Sequence, residues 1–150
     1  MKLAIGQKAP NFETINQDGN TVKLSDFAGK KIVIYFYPKD NTPTCTTQAC
    51  NLRDNYSALQ GKGYTVLGVS IDTAKSHKKF QTKFELPFDL LDDSSMKMVN
   101  DYGVWAEKMM YGKTYMGTLR TTFLIDEKGI IIDIIEKVES KRHSEQIATP

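Results

Sequence analysis

The run from Lys31 to Tyr37 constrains the fold of this chain more than any other segment. It reads Lys-Ile-Val-Ile-Tyr-Phe-Tyr, a continuous stretch of β-branched and aromatic residues after its first position. A strand of this composition is buried on both faces, which requires packed layers above and below its sheet. The chain has 150 residues, which suits one domain with a substantial core. We therefore predict one domain over residues 1–150.

Strand and helix patterns alternate along the rest of the chain. The predicted strands are 12–15 and 21–24 in an N-terminal β-hairpin, then 31–37, 64–71 and 88–91, and finally 121–126 and 130–138 in a second hairpin. The first predicted helix carries an apolar stripe of Cys45, Ala49, Leu52, Tyr56 and Leu59. Further helices are predicted over 74–84, over 94–102 and from near Ser140. This order indicates an α/β fold with a central mixed sheet flanked by helices.

Charge and hydropathy argue against two classes of partner. Twenty Lys and Arg against eighteen Asp and Glu give a net charge of +2, and the densest basic stretch is Lys141-Arg142-His143. A nucleic-acid surface usually has a clustered basic stripe, so we expect no nucleic-acid partner. The N-terminal residues lack a signal-peptide core, and no apolar run approaches the ~20 residues of a membrane span. We expect no membrane contact and a cytoplasmic location.

The two cysteines are the first candidates for chemistry. Cys45 falls in the first turn of the predicted helix, directly after the buried strand and a polar turn with Pro38 and Pro43. Unpaired N–H groups and the helix dipole make this place electropositive, which favours a reactive thiolate. On its position in the stripe alone, Cys45 could equally be a small core residue. The polar approach and the second cysteine, Cys50, favour the chemical interpretation.

The spacing of Cys45 and Cys50 argues against a permanent disulfide. In a helix their Cα atoms would lie about 8.7 Å apart and about 140° around the axis. A disulfide requires Cα atoms within ~7 Å. The small loop would stabilise by only roughly 2 kcal/mol while several helical hydrogen bonds were lost. A transient bridge, formed during turnover, is the better interpretation.

Other functional motifs are missing or incomplete. The cysteines, His77 and His143 have no zinc-ligand spacing, and no Cys-Xaa-Xaa-Cys motif occurs. Gly112-Lys113-Thr114 resembles the end of a phosphate-binding loop, but Glu107 stands where the first glycine is required. No Gly-Xaa-Gly-Xaa-Xaa-Gly motif is present. We therefore expect neither a metal nor an organic cofactor.

Pro38, Thr42 and Cys45 form the pattern Pro-Xaa-Xaa-Xaa-Thr-Xaa-Xaa-Cys, and this motif resembles that of the peroxiredoxins. Cys50 resembles the resolving cysteine of the bacterioferritin comigratory protein branch, also called peroxiredoxin Q. The similarity covers essentially residues 2–147. It extends through Ala49 to Asp54, Val66 to Ser70, Tyr102 to Trp105 and Arg120 to Asp126.

The resemblance implies a thioredoxin fold and a cofactor-free thiol peroxidase. Cys45 would attack hydrogen peroxide or an organic hydroperoxide and become a sulfenic acid, and Cys50 would resolve it as an intramolecular disulfide. Thioredoxin or a similar dithiol protein would re-reduce the bridge. We expect a monomer, or at most a weak dimer.

The resemblance also implies roles for five further residues. The Thr42 hydroxyl and Arg120 would donate to the peroxide, Arg120 would favour the Cys45 thiolate, and Pro38 would shield the pocket from water. Without the motif, Arg120 would be interpreted as an exposed strand-edge residue. Gln48 is expected to have a modest polar role, and Trp105 to lie near the substrate or just behind it.

Two regions depart from the simple pattern. An irregular aromatic and methionine cluster is expected to pack beside the active site; its members are Trp105, Met109, Met110, Tyr111, Tyr115 and Met116. The final helix is expected to be short, because Thr149 and Pro150 follow where relatives usually continue it. That would leave one face of the sheet less covered.

Two other functions use the same cysteines. A dithiol–disulfide oxidoreductase acting on proteins would have no need of Thr42 or Arg120. A holdase or redox-sensing partner would need no peroxide turnover. Consumption of hydrogen peroxide coupled to thioredoxin separates these alternatives.

Overall fold

A computed structural model of the chain describes residues 2–148. Its strands are β1 (Glu13–Ile15), β2 (Thr21–Lys23), β3 (Lys31–Phe36), β4 (Tyr64–Ser70), β5 (Asp89–Asp92), β6 (Trp105–Met110), β7 (Lys113–Thr118), β8 (Thr121–Ile125) and β9 (Ile131–Ile135). Its α-helices are α1 (Pro43–Asp54), α2 (Tyr56–Gly61), α3 (Ala74–Phe84), α4 (Lys97–Asp101) and α5 (His143–Ala148). Two short 3₁₀ helices span Leu24–Phe27 and Ser140–Arg142.

The central sheet is mixed, as the sequence predicts. Its five strands are ordered β5-β4-β3-β8-β9; β3 pairs in parallel with β4 and antiparallel with β8. Parallel neighbours need a crossover connection, which α1 with α2 provides between β3 and β4 and α3 between β4 and β5. The carboxyl end of β3 therefore leads directly into the turn before α1.

Strand β3 is buried on both faces, so this prediction is confirmed. Alternate side chains enter two separate clusters: Ile32, Ile34 and Phe36 in one, Val33, Tyr35 and Tyr37 in the other. Strict alternation of side chains along a strand produces this division. Cys45, Ala49 and Leu52 of α1 lie in the second cluster. The face of β3 that bears Tyr35 is thus the face that Cys45 packs on.

The N-terminal hairpin is confirmed, but the first helix is not continuous. The predicted apolar stripe is buried through Leu59, yet the helix is interrupted at Asn55, between α1 and α2. The side-chain amide of Asn55 donates to the carbonyl oxygen of Asn51 at 2.9 Å. Asparagine competes in this way with the backbone ladder and favours helix ends. The residues of the predicted stripe are therefore buried even though the helix is interrupted.

A second hairpin, β6–β7, was missed by the sequence prediction. Its turn residues Tyr111 and Gly112 both have positive φ, 53° and 76°, as a tight hairpin turn requires. The expectation that the aromatic and methionine cluster packs beside the active site is wrong for most of its members. Exposed members are Met109, Met110, Tyr111, Tyr115 and Met116. These side chains lie exposed on the two-stranded β6–β7 sheet.

The final helix, α5, covers part of the sheet face against which Cys45 packs. Ile147 of α5 is fully buried within the same cluster as Cys45 and Leu124. The expected stop of this helix at Thr149 and Pro150 lies outside the described residues. No helix within residues 2–148 is long and apolar enough to cross a membrane.

Candidate active site

Cys45 lies in the first turn of α1 and is 2% exposed. Thr42 is the residue before the helix, with extended backbone, and Pro43 occupies its first position. Proline is favoured there because its missing N–H would have no helical partner. The Cys45 thiol therefore sits at the positive end of a twelve-residue helix, at the surface of β3.

Arg120 reaches this thiol from the short link between β7 and β8. Its Nη2 atom donates to Cys45 Sγ at 3.3 Å, and its Nη1 atom donates to Gln48 Oε1 at 2.7 Å. A cationic donor on sulfur stabilises negative charge there. The guanidinium thus connects two side chains on adjacent turns of α1, one of them the candidate nucleophile.

Gln48 is fully buried one turn after Cys45. Its carbonyl oxygen accepts from Arg120, while its amide nitrogen has no partner among the described residues. A buried amide that accepts from a guanidinium fixes the orientation of that guanidinium. The structure therefore places Gln48 in contact with Arg120 and within one helical turn of Cys45.

Pro38 and Thr42 flank the site on the turn between β3 and α1. Pro38 is half-buried and follows directly on Tyr37. The Thr42 hydroxyl donates to the carbonyl oxygen of Lys39 at 2.9 Å. The carbonyl of Thr42 accepts from the Thr46 amide at 2.8 Å, the first bond of the helix.

Cys50 lies further along the same helix and is half-buried. Both cysteines are free thiols. Regular helical geometry separates their Cα atoms by about 8.7 Å, beyond the reach of a disulfide. In the described conformation Cys45 therefore cannot form a disulfide with Cys50.

Trp105 begins β6 and lies apart from this group. It packs, partly buried, against the cluster that contains Phe36 and Phe123, whereas Cys45 belongs to the other cluster. No described contact joins Trp105 to Cys45. Of the residues expected at the site, the contacts bring together Cys45, Gln48 and Arg120, with Thr42 and Pro38 on the preceding turn.

Two polar groups near the site were not expected. The Tyr35 hydroxyl is buried without a hydrogen-bond partner among the described residues; burial, followed by the charge of Cys45, raises the pKa of Tyr35 well above its usual value. The Lys108 ammonium donates to the Thr118 carbonyl at 3.0 Å. Burial, then the neighbouring charge of Arg120, lowers the pKa of Lys108. Strand alternation indicated the face of Tyr35, but Lys108 lies on the hairpin that the sequence prediction missed.

No cluster of three or more His, Cys, Asp or Glu side chains that could hold a metal occurs within the described part of the chain. The site itself combines a buried thiol at a helix start, a guanidinium that donates to this thiol, and a second thiol on the same helix. A mixed α/β sheet whose central strand leads into a helix with such a thiol in its first turn is typical of thiol-dependent redox enzymes.

Comparison with known proteins leads to the family. Residues 5–134 match the AhpC/TSA family. The chain is 48% identical over 143 residues to peroxiredoxin Bcp of Bacillus subtilis, covering 95% of this chain and 91% of that protein. It is 42% identical over 145 residues to peroxiredoxin Bcp of Escherichia coli, covering 97% and 93%.

Solved structures agree with these relatives. A PrxQ mutant from Xylella fastidiosa superposes with a TM-score of 0.91 at 32% identity, covering 98% of this chain and 94% of that one. Peroxiredoxin Q of Xanthomonas campestris superposes with a TM-score of 0.85 at 34% identity, covering 91% and 86%. The chain therefore belongs to the AhpC/TSA family, and within it to the Bcp and PrxQ peroxiredoxins, which are thiol peroxidases of thioredoxin-like fold. The predicted fold and family are confirmed.

Proposed function

We propose that this chain reduces hydrogen peroxide and organic hydroperoxides through a Cys45 sulfenic acid and a transient Cys45–Cys50 disulfide. Thioredoxin or a similar dithiol protein would then restore both thiols. The observation that carries the proposal is the 3.3 Å contact from Arg120 Nη2 to Cys45 Sγ. A cation on a buried sulfur stabilises the thiolate and the charge that develops during attack.

In the first step the Cys45 thiolate attacks one peroxide oxygen. The sulfur–oxygen bond forms as the oxygen–oxygen bond breaks, so sulfur is oxidised by two electrons and the other oxygen leaves as an alcohol or as water after taking a proton. Donors must point at the leaving oxygen. We assign this role to Arg120 and the N–H groups of the first turn, with Gln48 holding Arg120 in place. The Thr42 hydroxyl would join them by turning its proton from the Lys39 carbonyl towards the peroxide.

In the second step the Cys50 thiolate attacks the sulfenic sulfur of Cys45. A disulfide forms and the sulfenic oxygen leaves as water. Cys45 is buried, and in a regular helix its Cα atom lies about 8.7 Å from that of Cys50. The start of α1 therefore has to unwind first. An external dithiol then reduces the bridge and becomes a disulfide itself. A reducing compartment such as the cytoplasm supplies that donor.

Small peroxides suit this site better than protein disulfides. In the described conformation the Cys45 sulfur is nearly inaccessible, so a folded protein could not present a disulfide to it. The related X. campestris bacterioferritin comigratory protein, 34% identical, is described for its alkyl peroxide reduction activity. Both points support a peroxide as the oxidant of Cys45.

The test is peroxide consumption coupled to thioredoxin, thioredoxin reductase and NADPH. Cys45→Ser is expected to abolish turnover. Cys50→Ser is expected to keep one rapid reaction with peroxide and then to stall as sulfenic acid, which over-oxidises. Equal loss of the first reaction in both variants would overturn the assignment of the two cysteines. Activity on protein disulfides alone would favour the dithiol–disulfide oxidoreductase.

A further inference from the structure

Asp40 is the most heavily bonded residue of the turn between β3 and α1. Its carboxylate accepts from the Tyr37 hydroxyl at 2.6 Å and from the Ser76 hydroxyl at 2.8 Å, and it lies 2.7 Å from Nδ1 of His77. Its backbone amide donates to Asp72 Oδ2 at 2.8 Å. The side chain is only 4% exposed. A surface turn rarely carries so many buried polar contacts.

His77 completes an ion pair with this carboxylate. The residue is fully buried on α3, and its Nε2 atom lies 2.8 Å from the carbonyl oxygen of Leu91 on β5. A carbonyl oxygen accepts only, so Nε2 must carry a proton. Two hydroxyls already donate to Asp40, and Nδ1 of His77 is the third polar group in contact with this carboxyl. We therefore assign His77 as a fully buried link between Asp40 and the Leu91 carbonyl.

The Tyr37 hydroxyl supports this assignment. Burial, then the charge of Asp40, raises the pKa of Tyr37 well above its usual value, so the phenol stays protonated and remains a donor. Tyr37 directly follows the last residue of β3 and stands two residues before Lys39 and three before Asp40. The network thus joins the end of β3, the following turn, α3 and β5 in one buried cluster.

We propose that Asp40 and His77 are positioning residues for the peroxidase reaction. Their ion pair fixes the turn that carries Pro38 and Thr42. The chain stays folded up to this turn, and only the residues that follow it, at the start of α1, unwind. The inference rests on the proposed function of Cys45. The pair does not touch the thiol; it acts through the turn that precedes it.

This role predicts opposite effects on the two chemical steps. A fixed turn holds Thr42 at the start of α1, three residues before Cys45, so loosening the turn slows attack on the peroxide. Small errors of position are costly at this stage. The same fixed turn stabilises the folded start of α1, so loosening it makes unwinding easier and speeds the attack of Cys50. A variant that is merely less stable has no reason to slow the first step.

The experiment measures the two steps separately in single turnovers. Asp40→Asn and His77→Leu are placed in a Cys50→Ser background, where loss of alkylatable Cys45 after mixing with hydrogen peroxide reports the first step. The same substitutions with Cys50 present report disulfide formation by acid quench and intact mass. We expect the first step to slow about tenfold, the second to speed up, and less Cys45 to over-oxidise per turnover.

Asp93→Asn is the matched control. Asp93 is also a buried carboxylate, and it accepts from the amides of Met98 and Val99 at the start of α4. It is expected to lower stability while leaving both rates near wild type. Should Asp40→Asn or His77→Leu fail to fold, Ser76→Ala removes a single donor to Asp40 and is expected to shift both rates in the same directions by smaller factors.

The outcomes distinguish this inference from the proposed function. If wild-type Cys45 does not react rapidly with peroxide, the proposed function itself fails. If wild type reacts but the Asp40, His77 and Ser76 variants match Asp93→Asn in both steps, or if both steps slow together, the positioning role is overturned.

Discussion

The two histidines of this protein are both fully buried, yet the groups around their rings differ in kind. His77 faces a carboxylate at one ring nitrogen and a backbone carbonyl at the other. His143 lies 2.8 Å from Gln146 Oε1 through Nδ1 and 2.8 Å from the Thr122 hydroxyl through Nε2. A hydroxyl can donate, so His143 needs a proton on Nδ1 alone.

Burial is common to both residues and therefore does not decide the charge. Burial, and then the positive charge of Arg120, lowers the pKa of His143. His77 instead lies 2.7 Å from the Asp40 carboxylate. The acceptors and donors around a buried ring decide whether a charge can be retained.

The two histidines also hold different ends of the segment that must move. His77 fixes the turn before α1 through Asp40, whereas His143 begins α5, whose next residue Ser144 donates its amide to Asn51 at 2.8 Å. One end of α1 is thus held by a charged cluster and the other by neutral hydrogen bonds. Cys45 and Cys50 lie between these two attachments.

The largest expected difference is in stability. His77→Leu leaves the Asp40 carboxyl buried without its histidine partner, and breaking a buried pair of this kind costs about 3–5 kcal/mol. His143→Leu leaves only neutral groups unpaired, a cost of about 1–3 kcal/mol. Urea unfolding of the reduced proteins measures both. Equal losses would mean that the contact of Asp40 with His77 contributes no more than neutral hydrogen bonds and that the comparison of the two residues is wrong.

A smaller effect is expected at the far end of α1. Asn51→Ala removes the acceptor of the Ser144 amide and should cost about 1 kcal/mol. The matched control is Asn100→Ala, because the amide of Asn100 bonds only within its own helix segment, to the Met96 carbonyl. If Asn51→Ala costs no more than Asn100→Ala, the contact between α1 and the Ser144 amide does not hold the helix.

The smallest effect is a change in pH dependence. The folded pKa of His143 lies below its ordinary value, so the unfolded chain binds the proton more readily. The stability that the neutral ring contributes is therefore complete above about pH 6.5 and is lost as the pH falls through the folded pKa. His143→Gln removes this dependence. The difference in the free energy of unfolding between wild type and variant, measured with urea, should become smaller as the pH falls from about 7.5 to about 5.5. A difference that grows over this range would mean that folding raises the pKa of His143.

The sequence predicted the parts of the fold that depend on local pattern. The buried run at β3 and the apolar stripe of α1 follow from residue periodicity, so their burial was predictable. The break at Asn55 was not, because it depends on one side-chain bond within the helix. The β6–β7 hairpin was missed because its apolar residues are exposed, which reverses the usual relation between composition and burial.

The candidate site was predictable only through its motif. Arg120 and Cys45 are separated by 75 positions, and no periodicity indicates their contact. The pairing of Asp40 with His77, 37 positions apart, depends on how α3 packs over the turn after β3. Single-sequence reasoning gave His77 only a place on a helix. When two side chains come from different helices, strands or turns, their contact is known only from the three-dimensional structure. Their chemistry can be assigned only after that.

The central claim is that α1 opens between its two attachments when the disulfide forms. Hydrogen exchange on the reduced and oxidised protein tests it directly. We expect amides from Thr44 to Leu52 to lose protection on oxidation, while the Asp40 amide, bonded to Asp72, stays protected in both forms. Unchanged protection from Thr44 to Leu52 in an oxidised protein that contains the bridge would contradict the account, since the disulfide would then form without unwinding of the helix or between chains.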